Sequence, residues 1–165
     1  MKLSKTLVIK VDTREQSPLE FTVGKRVDQV VVETLPFADY WAEVDGKEVP
    51  IVWERKGMGD LFGTMTKGYE RFKRMLKKAK DADVKVILGI EGSMRAVAMG
   101  YPHSSFSGES MLKKLFMLWV RYDLVPVFFE DRASMARGIE EFYDAVRRNY
   151  SIVRTTTPRL SHPPT

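Results

Sequence analysis

The order of short apolar runs along the chain constrains its fold more than any other feature of the sequence. Each run is far shorter than the ~20 residues that a membrane span needs. The runs alternate with segments whose apolar residues recur at helical spacing. Buried strands are therefore predicted at Thr6–Asp12, Val84–Ile90 and Val125–Phe129, and helices at Gly68–Asp81, Ser110–Tyr122 and Arg132–Arg148.

A second pattern lies between the first strand and the first helix. Asp28–Leu35 and Asp39–Val44 alternate apolar and polar residues, which predicts a half-buried antiparallel region. Asp45-Gly46 is a strong hairpin signal, and Val49–Glu54 is the predicted returning strand. The order strand, hairpin, helix, strand, helix, strand, helix predicts a single α/β domain with a mixed β-sheet flanked by helices.

Composition narrows the class of protein. The 165 residues are 44% hydrophobic and 30% charged, which is typical of one globular domain with a real core. Without cysteine there is neither a disulfide nor a thiolate metal site, and the net charge of +5 favours an anionic partner.

The N-terminal residues lack a secretion signal pattern, so we expect an intracellular protein without a membrane segment. Residues 1–150 are predicted to form the domain, and residues 151–165, rich in Thr, Pro and Ser, a disordered tail.

The end of the hairpin's returning strand is unusual because Glu54-Arg55-Lys56 follows an apolar run and precedes two glycines. Strand alternation points Glu54 and Lys56 to one face and Arg55 to the other. Asp39 and Glu54 both lie far from the turn, so strand pairing could bring the two carboxylates side by side. Paired carboxylates suit Mg²⁺, and a neighbouring ammonium suits charge on a phosphate. On these residues alone, a solvated strand end with an intrastrand salt bridge remains the favoured interpretation.

A wider set of motifs favours a functional site over a solvated strand end. Asp39, then Glu54-Arg55-Lys56, then Asp60 resembles the signature G-D-x(n)-E-R-K-x3-D of XPF-type structure-specific endonucleases, the excision-repair family. Residues 11–15 (VDTRE) are similar to the family's V-D-x-R-E element, and residues 90–92 (IEG) are similar to its next landmark. The elements follow the family's order across residues 7–148. One departure is Ala38, where the family has the glycine before the aspartate.

The resemblance implies a restriction-endonuclease-like fold of the PD-(D/E)xK superfamily and a metal-dependent DNA endonuclease. Asp39 and Glu54 would ligate Mg²⁺, for which Mn²⁺ would substitute, with the backbone carbonyl of Arg55 as a candidate third ligand. Asp12 would lie at the metal directly or through water, and Lys56 would assist the attacking water or the transition state. The implied substrate is branched or distorted DNA (a flap, fork or junction) in repair or recombination.

Substrate binding is expected beside this site. Arg14 and Glu15 would face the DNA and Asp60 would complete the acidic cluster, although Asp60 could instead cap a helix beginning near Leu61. The basic helix that follows the motif is either a solvated face or a phosphate track. The predicted substrate-binding set is Arg14, Glu15, Asp60, Arg71, Lys73, Arg74, Lys77 and Lys78.

The connection between the predicted strand Val84–Ile90 and the predicted helix Ser110–Tyr122 is unusually long. The long connection Ser93–Glu109 could touch substrate, whereas His103 within it is interpreted as a surface residue.

The resemblance implies pairing through the C-terminal helices, Ser110–Arg148, as a homodimer or heterodimer. A restriction-like or junction-resolving nuclease and a catalytically silent DNA-binding subunit remain alternatives, although silent partners lose the acidic motif that this chain retains. Because the sequence holds no helix-hairpin-helix domain, we expect weak, salt-sensitive DNA binding.

Overall fold

The structure, a computed structural model, describes residues 5–150 as one mixed seven-stranded sheet flanked by helices, which confirms the predicted fold class. The predicted tail, residues 151–165, lies outside the described residues. The strands are β1 (Leu7–Asp12), β2 (Gln29–Glu33), β3 (Tyr40–Val44), β4 (Lys47–Glu48), β5 (Ile51–Gly57), β6 (Lys85–Glu91) and β7 (Val125–Phe129). The helices are α1 (Met58–Met65), α2 (Tyr69–Asp81), α3 (Met94–Met99), α4 (Gly108–Tyr122) and α5 (Arg132–Arg148).

The sheet joins an antiparallel half to a parallel half. Its order is β2-β1-β3-β5-β6-β7, with β4 paired to β3 at the hairpin. Strands β5, β6 and β7 run parallel, and β5 pairs with β6 along its whole length. Between the described strands β3 and β5, by contrast, Tyr40 and Trp53 form the single residue pair in register. Asp39 extends this junction because its N–H donates to the Trp53 carbonyl at 3.0 Å.

Helices cover both faces of the sheet, and strand alternation assigns each residue of β5 to a face. Val52 packs into the core beneath α1, α2 and α4, whereas Trp53 packs into the core beneath α5. Glu54 therefore points to the α1–α2 side, and Arg55 to the α5 side. Within residues 5–150, no helix combines the length and the apolar character needed to cross a membrane.

Two strand predictions were wrong in detail. The stretch predicted as antiparallel forms β2, which pairs with β1 in parallel at the edge of the sheet. Alternating polarity indicates one exposed face but carries no information on strand direction, which explains the error. The returning strand of the hairpin is interrupted, since β4 ends at Glu48 and β5 begins at Ile51, after Pro50. Proline cannot donate a hydrogen bond to the sheet, so the ladder breaks there.

One short helix begins earlier than expected, and another was not predicted. Helix α1, expected to begin near Leu61, begins at Met58 directly after β5. Helix α3, which was not predicted, occupies part of the long connection Ser93–Glu109. Its N-terminus is fixed by Ser93, whose hydroxyl accepts the N–H of Ala96 at 3.0 Å. Capping by a single serine is too common in loops to identify a helix this short.

Candidate active site

A cleft of about 750 Å³ opens where β1 and β5 end and β3 begins, between the sheet and helices α1 and α2. Its walls combine carboxylates, basic side chains and an apolar patch. Nine of the residues predicted for the site line this cleft: Asp12, Arg14, Asp39, Glu54, Lys56, Asp60, Arg71, Arg74 and Lys78.

Asp39 lies at the junction between the two halves of the sheet. One of its carboxylate oxygens, Oδ2, accepts the backbone N–H of Arg55 at 2.7 Å. The pKa of Asp39 is raised to about 7, mainly by burial and further by repulsion from the Glu54 carboxylate. The Glu54 carboxylate therefore lies close enough to oppose the ionisation of Asp39, and a bound cation would relieve this repulsion.

Ala38, where the family signature has glycine, adopts a left-handed backbone with φ of 64°. This conformation turns the chain into Asp39 at the start of β3. A side chain makes it costly, by about 1–2 kcal/mol, whereas glycine adopts it freely. This left-handed conformation accounts for a glycine at this position of the family signature, and this chain adopts it with alanine.

Lys56 supplies a positive charge within the acidic part of the cleft. Its Nζ lies 2.9 Å from Glu54 Oε1. Burial lowers the pKa of Lys56, but attraction to the carboxylates of Glu54, Asp39 and Asp60 outweighs it and the pKa is raised. The side chain therefore stays protonated at neutral pH, which suits it to balance negative charge and excludes it as a general base.

Asp12 is buried and fully hydrogen-bonded. Oδ1 accepts from Leu35 N at 2.8 Å and Arg14 Nη2 at 3.1 Å, and Oδ2 accepts from Arg14 N at 3.2 Å and Nε at 2.8 Å. Burial raises the pKa of Asp12, but the bonds from Arg14 and Leu35 outweigh burial and the pKa is lowered. All four acceptor positions of this carboxylate are taken. In this arrangement Asp12 holds the guanidinium of Arg14 at the cleft.

Glu15 and the Arg55 side chain lie behind the sheet, away from the cleft. Arg55 donates to Glu15 Oε1 at 2.8 Å and Oε2 at 3.1 Å, and to Glu91 Oε1 at 2.8 Å. Glu15 also accepts the Tyr40 hydroxyl at 3.4 Å. The structure therefore does not bring Glu15 to the surface predicted to face substrate.

Helical periodicity divides the basic residues of α2 between two faces. Arg71, Arg74 and Lys78, spaced by three and four residues, line the cleft. Lys73 and Lys77 do not line it, and they pair with Glu70 and Asp81 of the same helix at 2.7 Å each. Only part of the predicted phosphate track is thus directed at the cleft.

Helix α1 forms a cleft wall that sequence reasoning missed. Gly59, Gly63 and Thr64 line the cleft together with Asp60. Asp60 belongs to the first turn of α1, which begins at Met58, so the suggestion of a cap on a helix near Leu61 was wrong. The spacing of the two glycines by one helical turn was the available signal, and it is weak by itself. A second missed wall is apolar and contains Pro36, Phe37, Phe72 and Met75.

The donor set fits a Mg²⁺ ion held by few protein ligands. Within residues 5–150, no group of three His, Cys, Asp or Glu side chains has the arrangement of a metal site. Asp39 and Glu54 each keep one carboxylate oxygen that has no hydrogen-bond or ion-pair partner among the described residues. Mg²⁺ commonly uses one or two carboxylates and keeps waters or substrate phosphates as its other ligands. His103 is exposed and contacts the ring of Tyr101, in agreement with a surface role.

Comparisons with known proteins agree with this architecture. No curated protein sequence matches the chain. XPF from Aeropyrum pernix superposes with a TM-score of 0.64 at 23% identity, over 90% of this chain and 69% of that one. A second structure, XPF from Aeropyrum pernix in complex with DNA, gives 0.59 at 22% identity, over 94% and 68%. At these identities the solved structures show a shared fold. A family model, the ERCC4 domain, matches residues 11–142. The chain therefore belongs to the ERCC4 domain family.

Proposed function

We propose that this protein is a metal-dependent DNA endonuclease that hydrolyses phosphodiester bonds at branched or distorted DNA. The observation that carries the proposal is the meeting of Asp39, Glu54 and Lys56 in one cleft whose rim is basic. Membership of the ERCC4 domain family supports the same chemistry. A solved relative, described as XPF in complex with DNA, supports DNA as the ligand.

Asp39 and Glu54 would hold Mg²⁺ or Mn²⁺, with the Arg55 carbonyl as third protein ligand. The ion, when bound, polarises a phosphate oxygen and lowers the pKa of a coordinated water. The Arg55 N–H would hold the Asp39 carboxylate in place through Oδ2. Asp12 is assigned to hold Arg14 rather than the metal, because its four acceptor positions are occupied.

Lys56 would stabilise charge on the scissile phosphate. Its ammonium lies against Glu54, is attracted by Asp39 and Asp60, and remains protonated. A fixed positive charge at this point favours the pentavalent transition state, in which negative charge on the phosphoryl oxygens grows. Asp60 would in turn orient Lys56 from the first turn of α1.

DNA would enter along the cleft face of α2. Arg71, Arg74 and Lys78 present three cations beside the acidic centre, and Arg14 presents another just beyond the end of β1. Contacts of this kind are made to phosphates and carry little sequence information. Selectivity would then come from DNA shape, because a nick, flap or junction distorts at lower cost than an intact duplex.

A dimer is the proposed assembly. Helix α4 exposes large apolar side chains, and Trp119 is 45% exposed and Val120 86% exposed. Phe116 and Met117 extend the same exposed surface. Contiguous apolar surface of this kind typically marks a protein interface. Sedimentation of the wild type at tens of micromolar would show a dimer, and Val120→Glu would shift it to a monomer; a wild-type monomer would contradict this part of the proposal.

Cleavage of a panel of flap, fork, junction, single-stranded and plain duplex DNA tests the function. We expect cutting that requires Mg²⁺ or Mn²⁺, prefers branched DNA and lacks sequence preference. Cutting confined to one short sequence in duplex DNA would favour a restriction-like nuclease. Tight binding without cutting, in any of the metals, would favour a catalytically silent subunit.

A further inference from the structure

Arg55 has two ends that act on opposite sides of the sheet. In front, its backbone N–H holds Asp39 Oδ2 at 2.7 Å, at the edge of the cleft. Behind, its guanidinium is 13% exposed and lies between the carboxylates of Glu15 and Glu91. The position of the Arg55 peptide, and with it the Asp39 carboxylate, therefore depends on what holds the side chain behind the sheet.

Glu91 is the member of this group that links Arg55 to β6 and α5. It ends β6 and lies beside Gly57 in the β5–β6 ladder. Its Oε1 accepts Arg55 Nη1 at 2.8 Å and lies 3.7 Å from Arg132 Nη1 at the start of α5. Arg132 also donates to the carbonyls of Ser17 and Pro18 at 2.9 Å each.

The chain of contacts thus runs from α5 through Glu91 and Arg55 to Asp39. Each link is a charged hydrogen bond or ion pair. The bond between Arg55 and Glu91 is partly dehydrated, since these side chains are 13% and 20% exposed, whereas Arg132 is 42% exposed. Charge-assisted bonds of this kind fix geometry more firmly than neutral ones.

We propose that Glu91 is a positioning residue of the active site: acting through Arg55, it sets the Asp39 carboxylate from the face opposite the cleft. The inference rests on the proposed nuclease function for its effect on catalysis, but the positioning itself is a property of the fold. Glu91 touches neither the cleft nor the DNA path, so its loss is expected to affect the chemical step and to spare DNA binding.

Glu91→Gln removes the charge at nearly constant shape. The matched control is Glu141→Gln, which removes a carboxylate paired with Arg26 on the same side of the sheet but remote from Arg55. The first measurement is the hydrogen-exchange rate of the Arg55 backbone amide by NMR, which needs neither metal nor activity. We expect exchange to rise about tenfold or more in Glu91→Gln, because the peptide is less firmly held, and to stay at the wild-type rate in Glu141→Gln.

The second measurement is cleavage under single-turnover conditions, with DNA affinity measured separately. Partners that orient metal ligands typically contribute about 10–100-fold, so we expect that loss in cleavage rate with an unchanged Kd for DNA. Glu91→Asp, which keeps the charge, should recover part of the rate. If Glu91→Gln does not fold, Arg132→Gln removes one of the two partners of Glu91 and should shift both measurements in the same direction by a smaller factor.

Wild-type exchange at the Arg55 amide in Glu91→Gln would overturn the inference, as would a loss of DNA binding equal to the loss of cleavage. Failure of the proposed function has a different signature. In that case wild-type protein cuts none of the DNA substrates, while the exchange measurement still decides whether Glu91 positions Arg55.

Discussion

Asp39→Asn should make the metal-free protein more stable at alkaline pH while abolishing its activity. The folded-state pKa of Asp39 is raised from 3.8 to about 7 by burial and by Glu54. Because the native state holds this proton more tightly than the unfolded chain, wild-type stability falls as pH rises from about 4 to about 7. Above pH 7 the whole penalty is present, and below pH 4 it is absent.

The size of the effect follows from the shift. About three pKa units correspond to about 4 kcal/mol at about 1.4 kcal/mol per unit. Asp39 lines an open cleft and has Lys56 nearby, so about 2 kcal/mol is the gain we expect at pH 8. The amide oxygen of asparagine can still accept the Arg55 N–H, so that hydrogen bond is retained.

Urea unfolding in the presence of EDTA, at several pH values from 5 to 8, measures this difference. The stability advantage of Asp39→Asn over wild type should grow across that range. Asp144→Asn is the matched control of opposite sign: burial raises the pKa of Asp144, but bonds from Arg148 and Arg147 outweigh burial and lower it. That variant should lose stability at neutral pH. An Asp39→Asn protein no more stable than wild type at pH 8 would refute the reasoning.

Three further outcomes are expected. Ala38→Gly should change stability by less than about 0.5 kcal/mol in urea unfolding, because relief of the left-handed strain offsets lost methyl burial and added chain freedom. Ala42→Gly, in extended backbone of the same strand region, should lose about 1.5 kcal/mol, and equal losses at both sites would contradict this account. Arg74→Glu should weaken binding to every DNA substrate and flatten the salt dependence of binding in titrations. Lys77→Glu, on the other face of α2, should have a smaller effect. Equal effects would contradict the assignment of Arg74 and Lys77 to different faces of the helix. Glu54→Gln should abolish cleavage and retain DNA binding, and a wild-type rate at equal metal concentration would rule out its assignment.

The sequence predicted the elements whose patterns are long or strongly signalled. The helix Arg132–Arg148 has the predicted bounds, and the turn at Asp45-Gly46 joins β3 and β4 with positive φ at both residues. Pairing across that hairpin was enough to predict that Asp39 and Glu54 would be neighbours, as the bond from Asp39 N to the Trp53 carbonyl bears out. These features depend on short-range residue patterns, which can be read from a single sequence.

Features that depend on tertiary contacts could not be read in the same way. The direction of β2 is set by pairing across the sheet, and α1 is held mainly by the burial of Leu61, Phe62 and Met65. Glu15 was expected at the substrate because it follows the first strand. Instead Glu15 is buried against the Arg55 side chain on the α5 side of the sheet. That contact depends on the placement of β5 and cannot be read from the local sequence.

The narrow junction between β3 and β5 has a consequence for how the protein loses activity. Asp39 belongs to the antiparallel half of the sheet and Glu54 to the parallel half, and Tyr40 and Trp53 form the single in-register pair between these described strands. With so few backbone bonds across it, the junction depends on side-chain packing. Both cores span it, since Trp41 and Val52 belong to one core and Tyr40 and Trp53 to the other. Local loosening of this packing would separate the two carboxylates, so the proposed activity should fail at lower temperature or denaturant concentration than the helices do. The conditions under which the site works would then be set by core packing across the junction rather than by the sheet ladder.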